Sequence, residues 1–147
     1  MTQCIALLGG TFDPIHLGHL AIAEDVRVAL HADQVVFIPA AQQPFKTGQR
    51  VTSAEARLGM VRLAIADNPA FAVDDYEVRR GGVSYTVDTV AKFRAEQPEA
   101  ELYFIVGADA AVDLPRWREI DRLLTLCRFV IVERPGVVLD IDQLRRE

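Results

Sequence analysis

Residues 4–19 read "CIALLGGTFDPIHLGH". Five apolar residues, Cys4 to Leu8, give way to two glycines, a proline and two histidines three apart. A short apolar run with no polar alternation suits a strand covered on both faces. Gly9 and Gly10 permit a tight turn and a close backbone approach to a ligand. Beyond Pro14 the period becomes helical: "LGHLAIAEDVRVAL", residues 17–30, is apolar on one side and charged on the other. Strand, glycine turn and helix in that order make the opening unit of a parallel α/β sheet.

The rest of the chain repeats the alternation. "QVVFIPA" (34–40), "ELYFIV" (101–106) and "RFVIVE" (128–133) are further apolar strands, and the more mixed "FAVDDYEV" (71–78) suits an edge. "TSAE" (52–55) opens a second helix, with Thr52 as N-cap and Glu55 completing a capping box. Leu58, Val61 and Ile65 then recur at helical spacing until "DNP" (67–69) stops it. A third helix follows Ser84, with Val87, Val90 and Ala91 on one face, and a fourth spans Trp117 to Leu126. The expected fold is α/β: a Rossmann-like, doubly wound, parallel five-stranded sheet with helices on both faces, in one domain over 1–147. The longest polar loop, "AAQQPFKTGQR" (40–50), follows the second strand and falls at the carboxyl edge, where such folds bind ligands.

Composition narrows the function classes. Of 147 residues, 50% are hydrophobic and 25% charged, too apolar for disorder. No run approaches the roughly 20 apolar residues of a membrane helix, and "MTQC" lacks the features of a secretion signal. A cytoplasmic protein without membrane contact is expected. The net charge of −5 argues against a broad nucleic-acid interface but not against a local anion site. Cys4 and Cys127 suit a reducing compartment. In a 3-2-1-4-5 strand order they lie two strands apart, about 10 Å, too far for a disulfide.

The opening motif then acquires a chemistry. With the helix starting near Ile15 or His16, His16 and His19 share the face of its first turn. Free N–H groups and the positive end of the helix dipole meet two imidazoles there, a cradle for an anion and for phosphate above all. A metal site would need a third ligand, and the remaining histidine, His31, lies several turns along the helix. A purely capping role for both rings is the other alternative. A G-x-G-x-x-G fingerprint and a Walker lysine are both absent.

"GGTFDPIHLGH" resembles the (H/T)-x-G-H signature of the nucleotidylyltransferase superfamily. Three further stretches, "PFK" (44–46), "GGVSYTVDT" (81–89) and "GADAAVDLPRW" (107–117), together with "RPG" (134–136), are similar to bacterial nicotinate-nucleotide adenylyltransferases. The resemblance implies transfer of AMP from ATP to nicotinate mononucleotide, giving deamido-NAD and pyrophosphate in NAD biosynthesis. It implies Mg²⁺ held chiefly by ATP, with no protein metal site. His19 would contact the α-phosphate, His16 the β/γ side, and Lys46 the phosphates. Gly9, Gly10, Thr11 and Phe12 would supply backbone contacts to the nucleotide, and Gly107 and Asp109 would line its cleft. Ser84 is expected to cap the third helix, leaving the N–H groups of Tyr85 and Thr86 for the nicotinate carboxylate. Trp117 would stack on the pyridine ring or anchor the last helix. Arg134 would pair with a phosphate or lie on the surface.

Two departures from the family pattern stand out. Phe45 replaces a histidine usual in the loop, and the Ser/Thr-rich "SST-x-[IV]-R" stretch expected near the C-terminus is absent before "DIDQLRRE" (140–147). The domain is therefore expected to lack the family's C-terminal segment. Two alternatives stay open: a related transferase using nicotinamide mononucleotide, and a non-catalytic nucleotide-binding module. Self-association is left open.

Overall fold

The computed structural model describes residues 2–41 and 52–133, and the backbone of 137–139. Six strands form one sheet in the order β3-β2-β1-β4-β5-β6. They are β1 (Cys4–Gly10), β2 (Gln34–Pro39), β3 (Phe71–Val73), β4 (Glu101–Gly107), β5 (Arg128–Glu133) and β6 (Val137–Leu139). The first five are parallel and match the expected runs and order. A short sixth strand extends this five-stranded parallel sheet at its edge, pairing antiparallel with β5, Val132 opposite Val138. Three residues are too few for a period to declare itself in sequence.

Alternation along each strand divides the core in two. Ile5 and Leu7 of β1, Leu102, Phe104 and Val106 of β4, and Phe129 and Ile131 of β5 face one layer. Ala6 and Leu8, Ile105, and Val130 and Val132 face the other. Helices α1 (Leu17–Leu30) and α2 (Ala54–Ile65) cover the second layer through Ala23, Val26, Val61 and Ile65. The first is covered by α4 (Thr86–Glu96) and α6 (Ile120–Leu126), through Val87, Val90, Phe93 and Leu123. Each fully buried Leu or Val contributes about 1.5–3 kcal/mol, which is why both faces of these strands are apolar.

Four local expectations are corrected. Only Phe71–Val73 of the mixed third run is strand, and Tyr76–Arg80 forms the short helix α3. Asp74 Oδ1 accepts from the Tyr76 N–H at 2.8 Å, and such side-chain turns end strands. Helix α2 is capped by Ser53, whose Oγ accepts from Ala56 N–H at 3.2 Å. Thr52 donates its own N–H to Asp13 Oδ2 instead. Helix α4 has Tyr85, not Ser84, at its N-cap. Trp117 precedes α6 rather than opening it, ending a 3₁₀ turn over Leu114–Arg116. Between β4 and that turn lies the four-residue helix α5 (Ala108–Ala111).

Both cysteines are free. Among the described residues no helix is long and apolar enough to cross a membrane.

Candidate active site

Central strands β1 and β4 are neighbours, yet the chain leaves them toward opposite faces, α1 on one and α5 on the other. This is the switch point at which open α/β sheets leave a crevice at their carboxyl ends. Gly9 and Gly10 close β1, and Gly107 closes β4. Phe12 takes a left-handed conformation, φ 51°, and buries its ring beneath His19, with centroids 5.0 Å apart. The Asp13–Pro14 peptide is cis. Thr11 Oγ1 is buried and has no hydrogen-bond partner among the described residues.

The histidines meet in a reciprocal arrangement. His16 is the N-cap of α1, which begins at Leu17 rather than near Ile15 or His16, so His16 stands in extended backbone before the first turn and only His19 lies in it. Gly18 N–H donates to His16 Nδ1 at 3.1 Å, and His16 N–H donates to His19 Nδ1 at 3.0 Å. The rings stack with centroids 3.9 Å apart. A ring nitrogen that accepts carries no proton, so each neutral imidazole holds its proton on Nε2. Capping therefore occupies Nδ1 of each ring and does not involve Nε2. Burial pushes the His19 imidazole below its ordinary value, and the nearby His16 charge adds to this. The shift favours the neutral form of His19, whose Nε2–H is then a donor. Gly18 is required by the same contact: a Cβ there would lie 2.9 Å from His16 Cε1.

Tyr85 and Thr86 open α4 after a turn in which Gly81 (φ 73°) and Gly82 (φ 67°) take left-handed conformations. The Tyr85 side chain makes no capping hydrogen bond. The expected cap is otherwise engaged: Ser84 Oγ accepts from Arg80 Nη1 at 3.3 Å, and the same nitrogen donates to Val83 O at 3.0 Å. Among the described residues no side chain accepts from the first-turn N–H groups of α4, and the Asp88 N–H donates to Tyr85 O. The Arg118 guanidinium lies 4.0 Å from the Tyr85 ring centroid. Asp109 is exposed in α5, beyond β4. Trp117 is half-buried and packs edge-on against Phe104 and Phe129, at 6.1 and 6.0 Å. The ring thus packs on β4 and β5. Lys46, Phe45 and Arg134 lie outside the described residues.

Residues that sequence reading missed support this edge from behind. Arg57 is 1% exposed and donates to Thr52 O, Thr11 O, Ala40 O and Ala41 O. Glu77 accepts from Thr89 Oγ1 at 2.6 Å, and burial pushes its carboxyl up despite that bond. Lys92 pairs with Asp74 at 2.7 Å. The only signal for Arg57 was a cation interrupting the apolar face of a helix. At the opposite, amino-terminal edge, Arg94, Leu126 and Arg128 line a cavity of about 290 Å³, but Arg94 donates there to Ala100 O and Leu126 O.

Among the described residues no group of three His, Cys, Asp or Glu side chains converges on a metal position.

The cytidylyltransferase-like family model matches residues 7–147. A relative from Roseiflexus sp. (strain RS-1), named a probable nicotinate-nucleotide adenylyltransferase, is 56% identical over 95% of this chain and 70% of its own length. One of the same name from Herpetosiphon aurantiacus is 55% identical over 94% and 69%. Another from Geobacter metallireducens is 51% identical over 90% and 62%, so the chain spans about two thirds of these relatives. Among solved structures, Plasmodium falciparum nicotinic acid mononucleotide adenylyltransferase complexed with NaAD superposes with a TM-score of 0.79 at 21% identity, over 98% of this chain and 71% of that one. Its complex with APC gives 0.76 at 20% identity, over 98% and 70%. These two show the shared fold. By the family model and the close relatives, the chain belongs to the nicotinate-nucleotide adenylyltransferases, a family of nucleotidyltransferases within the cytidylyltransferase-like group.

Proposed function

We propose that this chain transfers the adenylyl group of ATP to nicotinate mononucleotide, releasing pyrophosphate. The observation that carries the reading is the reciprocal histidine pair, whose Nδ1 atoms accept backbone N–H groups and whose Nε2–H groups remain as donors. A phosphate oxygen of the mononucleotide attacks the α-phosphorus, and the bond from that phosphorus to the β-phosphate bridging oxygen breaks. No protein nucleophile is needed. The chain's task is to hold two polyanions in line and to meet negative charge with preset donors. His19 serves the α-phosphate and His16 the leaving side. Gly9, Gly10, Thr11 and Phe12 supply backbone contacts, while Gly107 and Asp109 line the nucleotide cleft. Lys46 and Arg134 complete the phosphate contacts in this reading. Mg²⁺ arrives with ATP, held by phosphate oxygens, and supplies charge neutralisation when bound.

The absence of a side-chain cap on α4 supports selection of the acid substrate. A carboxylate accepts from the N–H groups of Tyr85 and Thr86, whereas an amide presents one acceptor and a competing donor. The part of Trp117 that the core leaves exposed serves the pyridine ring. Free cysteines support a reducing, cytoplasmic setting.

The test is pyrophosphate release from ATP and Mg²⁺ with the acid or the amide mononucleotide. We expect turnover with the acid in clear preference, and a loss of about 100-fold or more in H19A, the scale of one removed transition-state donor. Preference for the amide would overturn the α4 reading. Full activity in H19A would remove that ring from the reaction. Nucleotide binding without turnover in the wild type would favour a binding module.

A further inference from the structure

We propose that Arg57 is a positioning residue for the ATP side of the site, an inference that rests on the adenylyl-transfer reading above. Arg57 is the fourth residue of α2 and 1% exposed, yet its guanidinium reaches three segments of chain. Nε donates to Thr52 O at 2.9 Å. Nη1 donates to Thr11 O at 2.8 Å and to Ala40 O at 2.6 Å. Nη2 donates to Ala41 O at 3.1 Å. These carbonyls belong to the loop after β1, the end of β2 and the lead into α2, all at the carboxyl edge. One planar fork with several donors can span them; an ammonium offers three donors from a single point.

The Thr11 contact is the one that bears on the ligand. In a trans peptide the carbonyl and the next N–H point in opposite directions. Holding Thr11 O toward Arg57 turns the Phe12 N–H away from it. The same contact keeps Phe12 in the left-handed conformation that brings its ring under His19. The hydroxyl of Thr11, buried without a partner among the described residues, sits on the same hinge of chain.

Charge supports the same conclusion. No carboxylate among the described residues pairs with Arg57. It lies in the first turn of α2, where the helix dipole is also positive and a cation is disfavoured. Four carbonyl dipoles solvate the guanidinium, but its net charge stays behind the loop. A structural clip alone would be served as well by neutral donors. The Asp13 carboxylate stands one residue away on the Thr52 N–H rather than on the guanidinium itself, and a polyphosphate over the 9–12 loop adds negative charge on the loop side, so ATP binding draws on Arg57 while mononucleotide binding at α4 does not.

The experiment is calorimetric titration of the full chain with Mg-ATP and, separately, with nicotinate mononucleotide, for the wild type, R57K and R57M. Far-UV circular dichroism checks that each variant folds. We expect R57M to weaken ATP about tenfold or more and R57K by less, since Lys keeps the charge but loses the fork. Mononucleotide affinity should stay within about twofold of wild type in both variants. A folded R57M that binds ATP as the wild type does would overturn the proposal, and so would equal weakening of both ligands. Failure of both variants to fold would make Arg57 a structural clip only, which also overturns it. An inactive wild type that binds neither ligand sinks the adenylyl-transfer reading itself; an active wild type with an unaffected R57M sinks this inference alone.

Discussion

His19 couples the start of α1 to a titrating ring. Its Nδ1 holds the His16 N–H, and protonation there would break that bond. Burial first, and the His16 charge second, lower its affinity for a proton in the folded state. The unfolded chain therefore binds more protons in the window between the depressed folded value and the ordinary one. The stabilisation is complete above about pH 6.5 and is lost as pH falls through the folded value. We expect the melting temperature of the wild type to fall more steeply from about pH 7 to about pH 5 than that of H19N, which has no titrating ring. Parallel pH profiles in thermal melts would show that His19 is not the linked group. The capping alternative and the anion-cradle reading are thus compatible, since capping uses Nδ1 and the proposed anion contact uses Nε2.

At the scale of elements, two serines separate sequence pattern from realised geometry. Both Ser53 and Ser84 stand near helix starts, but only Ser53 accepts a first-turn N–H. Ser84 accepts from Arg80. S53A should lower stability by about 1 kcal/mol, the usual cost of a lost N-cap. S84A, at an exposed contact, should change it by less than about 0.5 kcal/mol. Urea melts of the two variants check this, and an equal loss in S84A would restore Ser84 as a structural cap. The difference follows from the Gly81–Gly82 turn, whose positive φ values let Arg80 fold forward onto residues 83 and 84. Tyr85 is then left at a helix end that no side chain among the described residues closes.

At the scale of the molecule, the layer under α4 and α6 is unified by aromatic contacts among Phe104, Trp117 and Phe129. Cys127 is buried in the same layer, and burial pushes its thiol up to about 12. A thiol so placed reacts only when the layer opens. We expect a disulfide reagent at mildly alkaline pH to leave Cys127 unmodified in the native C4S variant, and to label it at the rate of global unfolding. F129A should remove about 3–5 kcal/mol and make Cys127 reactive under native conditions. Rapid labelling in C4S with Phe129 intact would show that this layer opens locally.

What the amino-acid order determined by itself is the succession of elements and the character of the site. Five of the six strands, the span of α1, the two-sided core and the clustering of Gly9, Gly10, His16 and His19 at one strand end all follow from local period and turn chemistry. Such signals lie within a few residues of each other, so they survive without knowledge of the fold. Tertiary structure alone decided which polar atoms found which partners. Arg57 bonds to a carbonyl 46 residues away, Thr52 to a carboxylate 39 away, and Thr89 to one 12 away. Ser84 lost its capping role to an arginine brought round by two glycines, and the third strand gave way to a helix where Asp74 turned back on the chain. These outcomes depend on competition among donors that become neighbours only after the sheet has formed. A buried polar group must then take the nearest acceptor, whatever its own local pattern favoured.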